Sequence, residues 1–374
     1  MSVSPKIKIL QCIRQGKIGG GESHLLSLVE NINREIFEPI VLSFTDGPMI
    51  DRLKELNVNT KVIHTEKPFD LRKWKAVKNF VKETDVNLIH AHGTRAGSNI
   101  LWAAKRLKLP FIYTIHGWSF HQDQNTVVRK ARILGERFIT QKSNLNISVS
   151  ASNQQTGIET IPGFTSTIIN NGINIEKFSP YRNFIPLRKQ LGIADNKILY
   201  LFVARFTFQK QPIALIQAFK KAHKLNPDIH LLMVGEGEQK EEAEKMLKDE
   251  GLDHYITLLP FRLDVPDILA AADVFVLPSL WEGLPIGLLE AMAMGKTIIA
   301  TDVDGTREII ETNVNGILIN TETLIPSLAS AIEILAIDVE KRELLANNAR
   351  KTVENRFNAE YMTREIESVY LKFL

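Results

Sequence analysis

The sequence predicts an α/β protein built from two doubly wound parallel-sheet domains, and two observations carry that expectation. Short β-branched runs alternate with amphipathic helical patterns from one end of the chain to the other, as in parallel sheets covered by helices on both faces. A length of 374 residues, with 44% hydrophobic and 24% charged side chains, is ordinary globular composition with room for two domains of typical size.

In the first half, strands are expected over residues 7–13, 39–44, 61–64, 86–90, 111–115, 145–149 and 167–170. In the second half they are expected over 198–203, 230–234, 256–259, 274–277, 297–300 and 316–319. The loop from Asn174 through Pro180 to Pro186 has turn residues and no apolar period. It sets the boundary between an N-terminal domain of residues 1–180 and a C-terminal domain of residues 181–356. The last helical pattern, over 357–374, has Tyr361, Ile366, Val369 and Tyr370 as apolar positions and is expected to pack across the joint. Ligands in such sheets bind beyond the carboxyl ends of the strands, so two facing domains are expected to hold a ligand in the cleft between those edges.

The segment 278–295, PSLWEGLPIGLLEAMAMG, is the most informative stretch. Pro278 closes an apolar run that reads as a buried parallel strand, and a turn must follow. Gly283, Pro285 and Gly287 supply a permissive backbone, a proline suited to a first helical position and a point where the main chain can approach a ligand closely. A helix therefore begins near Pro285, with unpaired N–H groups and a positive dipole end that favour an anion. Glu290 lies roughly 8 Å along that axis at about 1.5 Å per residue. With a diphosphate at the helix start, that offset lets Glu290 accept hydrogen bonds from ribose hydroxyls while Glu282 faces the sugar on the far phosphate. Taken alone, the same pair could equally be a helix cap and a solvated charge.

Other turns sit at strand ends. Gly19, Gly20, Gly21 and Glu22 follow the first strand and open a helix at about Ser23, a turn that can cradle phosphate or be purely structural. The spacing is neither the dinucleotide fingerprint nor a Walker loop. Arg205 ends the first strand of the second domain, and Lys210 follows before Pro212 opens a helix. Two cations at that edge could neutralise a diphosphate leaving group without metal, or be ordinary loop charges. Gly235, Glu236 and Gly237 form a further turn of low information. His90 and His92 alternate on one face of a strand end and could chelate a metal, but no third ligand lies nearby in sequence. His116, in THGW at the end of the fifth strand, is placed to project into the cleft; the alternative is a structural histidine bonded to main chain.

Charge divides unevenly. Residues 1–182 hold 25 lysines and arginines against 15 acids, a net +10, and the remainder holds 21 against 28, a net −7. The first half should face something anionic. The positive charge concentrates in 71–82, where Leu71, Trp74, Val77 and Val81 recur at helical spacing, and in 129–142. Both resemble a membrane-surface face, and for the first a basic helix packed on its own domain is an equal reading. No nucleic-acid signature accompanies the charge, so nucleic acid is not an expected partner. No apolar run reaches the ~18 residues of a membrane span. Residues 1–8 lack a signal-peptide core, and the single cysteine, Cys12, cannot form an internal disulfide, which together lead to an expected cytoplasmic location.

The run ADVFVLPSLWEGLPIGLLEAMAMGKTIIATDV over residues 272–303, with VARFTFQK, NNGIN and the early GGGE, resembles the retaining nucleotide-sugar glycosyltransferases of the GT-B fold, family 4. The resemblance covers nearly the whole chain. It implies a first domain that binds acceptor and a second that binds the nucleotide-sugar. Arg205 and Lys210 match the positions that hold the diphosphate, Glu290 the glutamate on the ribose, and Glu282 the one near the donor sugar's hydroxyls. Backbone from Leu284 through Ile286 to Gly287 matches the phosphate contact, His116 the histidine near the sugar, and Gly20 and Gly21 the turn facing the phosphates. Asn171 and Gly172 match the interdomain turn, and Gly235 and Arg262 join the expected nucleotide-binding set.

The expected activity is retaining, metal-independent transfer of a hexose to a saccharide or lipid-linked acceptor in cell-surface polysaccharide synthesis. No cofactor is expected beyond the nucleotide-sugar donor as substrate, with a UDP-sugar favoured over a GDP-sugar. An anionic membrane surface is an expected partner through the basic N-terminal domain, with peripheral placement on the inner face of the plasma membrane. The alternatives are a nucleotide-sugar epimerase on the same fold, a transferase with a soluble acceptor, and a non-catalytic sensor. The chain departs from the family pattern at Gln211, where glycine is usual after the lysine, at Asp304 before Gly305, at Thr297 in place of proline, and at Phe261 in the loop that would border the base.

Overall fold

A computed structural model describes residues 5–17, 19–121 and 124–374. It resolves into two compact units, Met1–Gly172 with Ala359–Leu374, and Ile173–Asn358. The divide falls at Gly172 and not at residue 180, because Ile173 donates its N–H to the Phe357 carbonyl at 2.7 Å and bridges to Asn358. Phe178, in the stretch that the sequence marks only by its turn residues, is buried.

In the first unit the strands are β1 (Ile7–Ile13), β2 (Phe37–Ser43), β3 (Asn59–Val62), β4 (Leu88–His92), β5 (Phe111–Ile115), β6 (Leu145–Ser148) and β7 (Thr167–Ile168). They form one parallel sheet in the order β3-β2-β1-β4-β5-β6-β7. Side chains alternate across it, so Leu10 and Cys12 of β1 enter one core layer while Ile9 and Ile13 face the other side. Burial pushes the Cys12 thiol up, which leaves it inert. The helix Ala359–Leu371 closes the second face: Met362, Ile366, Val369 and Tyr370 pack with Ile9, Phe37, Leu88, Ile112 and Ile147. Tyr361, expected on that face, is exposed, and Met362 takes its place.

In the second unit the strands are β8 (Ile198–Val203), β9 (Ile229–Val234), β10 (Ile256–Leu259), β11 (Val274–Leu277), β12 (Thr297–Thr301) and β13 (Ile317–Ile319). They are again parallel, in the order β10-β9-β8-β11-β12-β13. In each unit the chain winds outward from a central strand and then returns to that strand's other side. The winding direction reverses between β1 and β4, and between β8 and β11. At such a switch point the loops leave the carboxyl edge in opposite directions and open a crevice that secondary structure does not fill.

The basic segment 71–82 lies within the helix Leu71–Thr84, which buries Val77 and Val81 and stacks Trp74 on Trp102 at 5.8 Å between ring centroids. Apart from the exposed Leu71, its apolar side is therefore packed on its own unit.

Candidate active site

The second unit's switch point gathers the charged residues singled out in the sequence. Beyond β8 the backbone is crowded. A Cβ on Gly235 would stand 2.0 Å from the Ala204 carbonyl oxygen, and one on Gly237 would stand 2.2 Å from that of Phe206. The Gly235 turn is thus required to let the 204–206 segment through, whereas its sequence looked uninformative. Arg205, in the middle of that segment, is exposed, and its guanidinium has no partner among the described residues.

A single helical turn, Phe208–Lys210, then joins the loop beyond β11 by three contacts. Leu280 donates its N–H to the Gln209 carbonyl at 2.8 Å, Gln209 Nε2 donates to the Trp281 carbonyl at 2.7 Å, and Lys210 Nζ donates to Glu282 Oε1. Glu282 is thereby an ion-pair partner and not a helix cap. The helix Ile286–Ala293 starts after Pro285 with no side chain capping it. Its first N–H groups are left for an anion. A Cβ on Gly287 would meet only ordinary contacts, Phe275 and the Val203 carbonyl oxygen at 3.9 Å. The fold itself does not demand glycine there, so its smallness keeps space open beside the helix start and the end of β8. Leu284 and Ile286 on either side are buried and fix that start.

Glu290, further along the helix, has no hydrogen-bond partner for its carboxylate among the described residues. Burial pushes its carboxyl up to about 7, against a downward pull from Lys177. Arg262 is less available: Asp264 holds its guanidinium through two hydrogen bonds, Nε to Oδ1 at 2.8 Å and Nη2 to Oδ2. That bond keeps the Asp264 carboxyl below its ordinary range.

The departures from the family pattern also find physical reasons. Gln211 sits at φ 53° in the left-handed region that glycine enters freely. A proline at 297 would lose the N–H that Thr297 donates to the Asp273 carbonyl at 3.2 Å. Gly305 is retained because a Cβ there would stand 2.2 Å from the Gly283 carbonyl oxygen. Phe261 is 47% exposed.

At the first unit's switch point histidines gather beside an ion pair, Arg14 Nε to the buried Glu22 Oε1 at 3.3 Å. The helix Gly20–Asn31 begins directly at the glycine turn with no side-chain cap. Gly20 faces open space, and a Cβ on Gly21 would come within 3.3 Å of His116 Cδ2, so the turn and the histidine are brought together. His90 is not a chelating partner for His92. Its Nδ1 bonds the Tyr370 hydroxyl at 2.7 Å and its Nε2 bonds the Thr114 hydroxyl at 2.7 Å. His92 instead meets His116, Nδ1 to Nε2 at 3.1 Å, and its own Nε2 donates to Gln11 Oε1 at 2.9 Å. Gln11 Nε2 donates to the Tyr370 hydroxyl at 2.8 Å.

His24, one turn into the helix, bonds Asn171 Oδ1 through Nδ1 at 3.0 Å. One ring nitrogen from each of His24, His92 and His116 lies within 4.8 Å of the others. Burial pushes the His24 imidazole down to about 4 and that of His90 to about 3, and burial plus neighbouring histidines push His92 and His116 well below their ordinary value, with the Arg14 charge adding to the shift at His116. His116 therefore offers a hydrogen bond and not a positive charge near pH 7.

Sequence reasoning missed His24 and Gln11, and read Tyr370 only as an apolar position, not as a hydrogen-bonding one. Gln11 carried a signal, being a polar residue inside the apolar strand IKILQCI. His24 and Tyr370 carried none, since their roles arise from partners 147 and 359 residues away.

Comparison with known proteins extends these observations. The family described as Glycosyltransferase Family 4 matches residues 18–177, and that described as Glycosyl transferases group 1 matches residues 183–352. The chain is 26% identical to the UDP-Gal:alpha-D-GlcNAc-diphosphoundecaprenol alpha-1,3-galactosyltransferase of Escherichia coli, over 99% of this chain and 98% of the relative. It is 25% identical to N-acetyl-alpha-D-glucosaminyl L-malate synthase of Bacillus anthracis, over 86% of this chain and 84% of the relative. Its fold is similar to that of HepE from Anabaena solved in complex with UDP and glucose, with a TM-score of 0.85 and 25% identity over 98% of this chain and 100% of that one. Matched across both units by glycosyltransferase families, with strand orders and switch-point residues to suit, the chain belongs to the family 4, group 1 glycosyltransferases of the GT-B fold.

Proposed function

We propose that the enzyme is a retaining glycosyltransferase that moves a hexose from a UDP-sugar to a saccharide or lipid-linked acceptor in cell-surface polysaccharide assembly, with no metal ion on the diphosphate. The second unit's switch point carries this reading. An unpaired Arg205, a Lys210 held by Glu282, an uncapped helix start at Ile286 and an unpartnered Glu290 lie along one sheet edge. As the bond from the anomeric carbon to the diphosphate breaks, UDP leaves with the electron pair. The acceptor hydroxyl forms the new glycosidic bond and passes its proton to an oxygen of the departing diphosphate. Arg205, Lys210 and the helix N–H groups are fixed donors for the departing charge, the task a divalent cation performs elsewhere. Glu290 takes the ribose hydroxyls, Glu282 turns from Lys210 to the donor sugar, and neutral His116 hydrogen-bonds that sugar.

The choice of UDP draws on the Anabaena enzyme, also solved with UDP-glucose, and on the E. coli relative, whose name gives UDP-Gal as donor and a diphosphoundecaprenol acceptor. The lipid-linked acceptor draws on the helix Thr126–Thr140 as well. Val127, Leu134 and Phe138 recur at helical spacing and are exposed by 75%, 63% and 47%, among exposed Lys130, Arg132 and Arg137. The helix's one acid, Glu136, is buried and accepts hydrogen bonds from Thr94, Tyr113 and Ser119. An outward face that is apolar and cationic without acids suits an anionic bilayer surface on the inner side of the plasma membrane. No helix among the described residues is long and apolar enough to cross a membrane.

Incubating the protein with UDP-, GDP- and ADP-sugars in EDTA tests the activity. Binding or slow hydrolysis of a UDP-sugar is expected, and failure of every donor overturns the reading. Conversion of the donor without acceptor, seen by NMR of the sugar, would make the enzyme an epimerase. Co-sedimentation with anionic vesicles, weakened by Leu134→Ser with Phe138→Ser, tests the surface. No sedimentation would favour a soluble acceptor, the kind named for the Bacillus anthracis relative.

A further inference from the structure

Three imidazoles at the first unit's switch point are arranged in a way that transfer chemistry alone does not require. The tautomers of two follow from their partners. An amide oxygen only accepts, so His24 Nδ1 carries the proton it donates to Asn171 Oδ1, and His24 Nε2 is a bare lone pair. His24 is 1% exposed, and that Nε2 has no hydrogen-bond partner. With Gln11 Nε2 donating to the Tyr370 hydroxyl and Gln11 Oε1 accepting from His92 Nε2, His92 Nδ1 is also bare. That lone pair points at His116 Nε2. The rings of His24 and His116 stand edge to face at 4.7 Å, and those of His92 and His116 are stacked at 5.3 Å.

An orphaned buried acceptor has an energetic cost that the fold tolerates, and no protein donor among the described residues relieves it. A second ring nitrogen donating to a side-chain oxygen is the usual support of a metal-ligating histidine, because it fixes the tautomer and aims the other lone pair. Two of these three rings have that support. The 3.1 Å between His92 Nδ1 and His116 Nε2 is close to the about 3.3 Å between two nitrogens on a tetrahedral ion with bonds of about 2.05 Å.

We propose that His24, His92 and His116 bind one divalent transition-metal ion, of the zinc, cobalt or nickel kind, through His24 Nε2, His92 Nδ1 and His116 Nε2. Imidazole donors select such ions over magnesium or calcium, which prefer oxygen. Uptake needs no net proton loss: the His116 ring gives up the proton on Nε2 and takes one on Nδ1. A ring pair at the 4.8 Å limit draws in by up to about 1.5 Å to reach tetrahedral spacing, a ring rotation. The half-buried His116 leaves the fourth position to water. The ion plays no part in neutralising the diphosphate. It occupies the nitrogen of His116 that otherwise hydrogen-bonds, so ion binding and transfer exclude each other; this last step rests on the proposed role of His116, while the binding does not.

The test titrates the EDTA-stripped full-length protein with Co²⁺ as probe. One equivalent is expected to bind with the visible absorption of tetrahedral cobalt and to be displaced by Zn²⁺. His24→Gln is expected to weaken uptake at least about 100-fold. Wild-type protein that takes up no Co²⁺, or His24→Gln that binds as well as wild type, overturns the site. Should His24→Gln fail to fold, X-ray absorption of the Zn²⁺-loaded wild type decides instead: a shell with three imidazoles supports the site and any other shell overturns it. In transfer assays, Zn²⁺ at one equivalent should inhibit and EDTA restore. Full activity with the ion bound overturns the mutual exclusion, and an absence of turnover even in EDTA faults the functional reading while cobalt uptake still judges the site.

Discussion

The two units share one strand order and differ in what stands at the switch point. In the second, the loops after β8 and β11 present Arg205, Lys210, Glu282 and Glu290 around an uncapped helix start. In the first, the loops after β1 and β5 and the end of β4 present His24, His92 and His116 around a glycine turn. One crevice is built mainly from charged side chains and the other from imidazoles beside the Arg14–Glu22 ion pair. The same topology thus makes two different environments: in the proposed function one stabilises a departing diphosphate and the other hydrogen-bonds the sugar, and the proposed metal site lies in the second of these. Function lies in the loops, and the sheets position them.

The largest effect is expected at Lys210. Lys210→Ala removes a cation proposed to face the leaving group and should lower turnover by roughly 10²–10³-fold, by analogy with loss of one preorganised donor. It also leaves the mostly buried Glu282 without its partner, so the melting temperature should fall, by the equivalent of about 1–3 kcal/mol. Glu282→Gln with Lys210→Ala should recover the stability and not the rate. A rate near wild type in Lys210→Ala would erase the contrast between the two crevices.

His116→Ala should sharpen that contrast from the other side. It is expected to slow transfer by about 10–100-fold while UDP binds as in wild type, since in the proposed role the neutral ring hydrogen-bonds the sugar and does not touch the diphosphate. Weakened UDP binding would show that the two crevices do not divide the substrate as proposed.

Glu290 gives a pH signature. Its carboxyl, pushed up to about 7 by burial, holds its proton more tightly in the fold than in the unfolded chain. Its contribution to stability is therefore full below about pH 4.3 and is lost as the pH rises through about 7. Ribose hydroxyls need the ionised acceptor. UDP-sugar affinity should rise between about pH 6 and about pH 8, and Glu290→Gln should bind about 10–100-fold more weakly at the upper pH with a flat profile. Calorimetric titration at several pH values reads both.

The strands were legible because buried parallel strands read as apolar runs, and runs such as ILYLFV and IIAT have few competing readings. The glycine turns and the two glutamates were legible because a strand, a turn and a helix are local. The Lys210–Glu282 pair was not, since 72 residues separate its members and spacing says nothing of a contact made by two loops at a sheet edge. Gln211 hides its left-handed φ for a related reason: only the turn into the helix Pro212–Leu225 demands it. His24 looked like any helical residue until β4 and β5 brought His92 and His116 to it.

The smallest expected effect follows from that turn. Gln211→Gly relieves a left-handed side-chain residue but loses the Gln211 bond to the Phe208 carbonyl, so it should raise stability by no more than about 1 kcal/mol and leave turnover unchanged. A large loss of stability on thermal unfolding would mean that the turn is held by the side chain and not by the backbone.

The most direct measurement is calorimetric binding of a UDP-sugar in EDTA to wild type and to Arg205→Ala, whose exposed guanidinium has no partner to lose among the described residues. Metal-free binding that falls at least about tenfold in the variant is the predicted result. Binding that appears only when Mg²⁺ or Mn²⁺ is added, or that is the same in both proteins, would contradict a diphosphate site made from the protein's own charges.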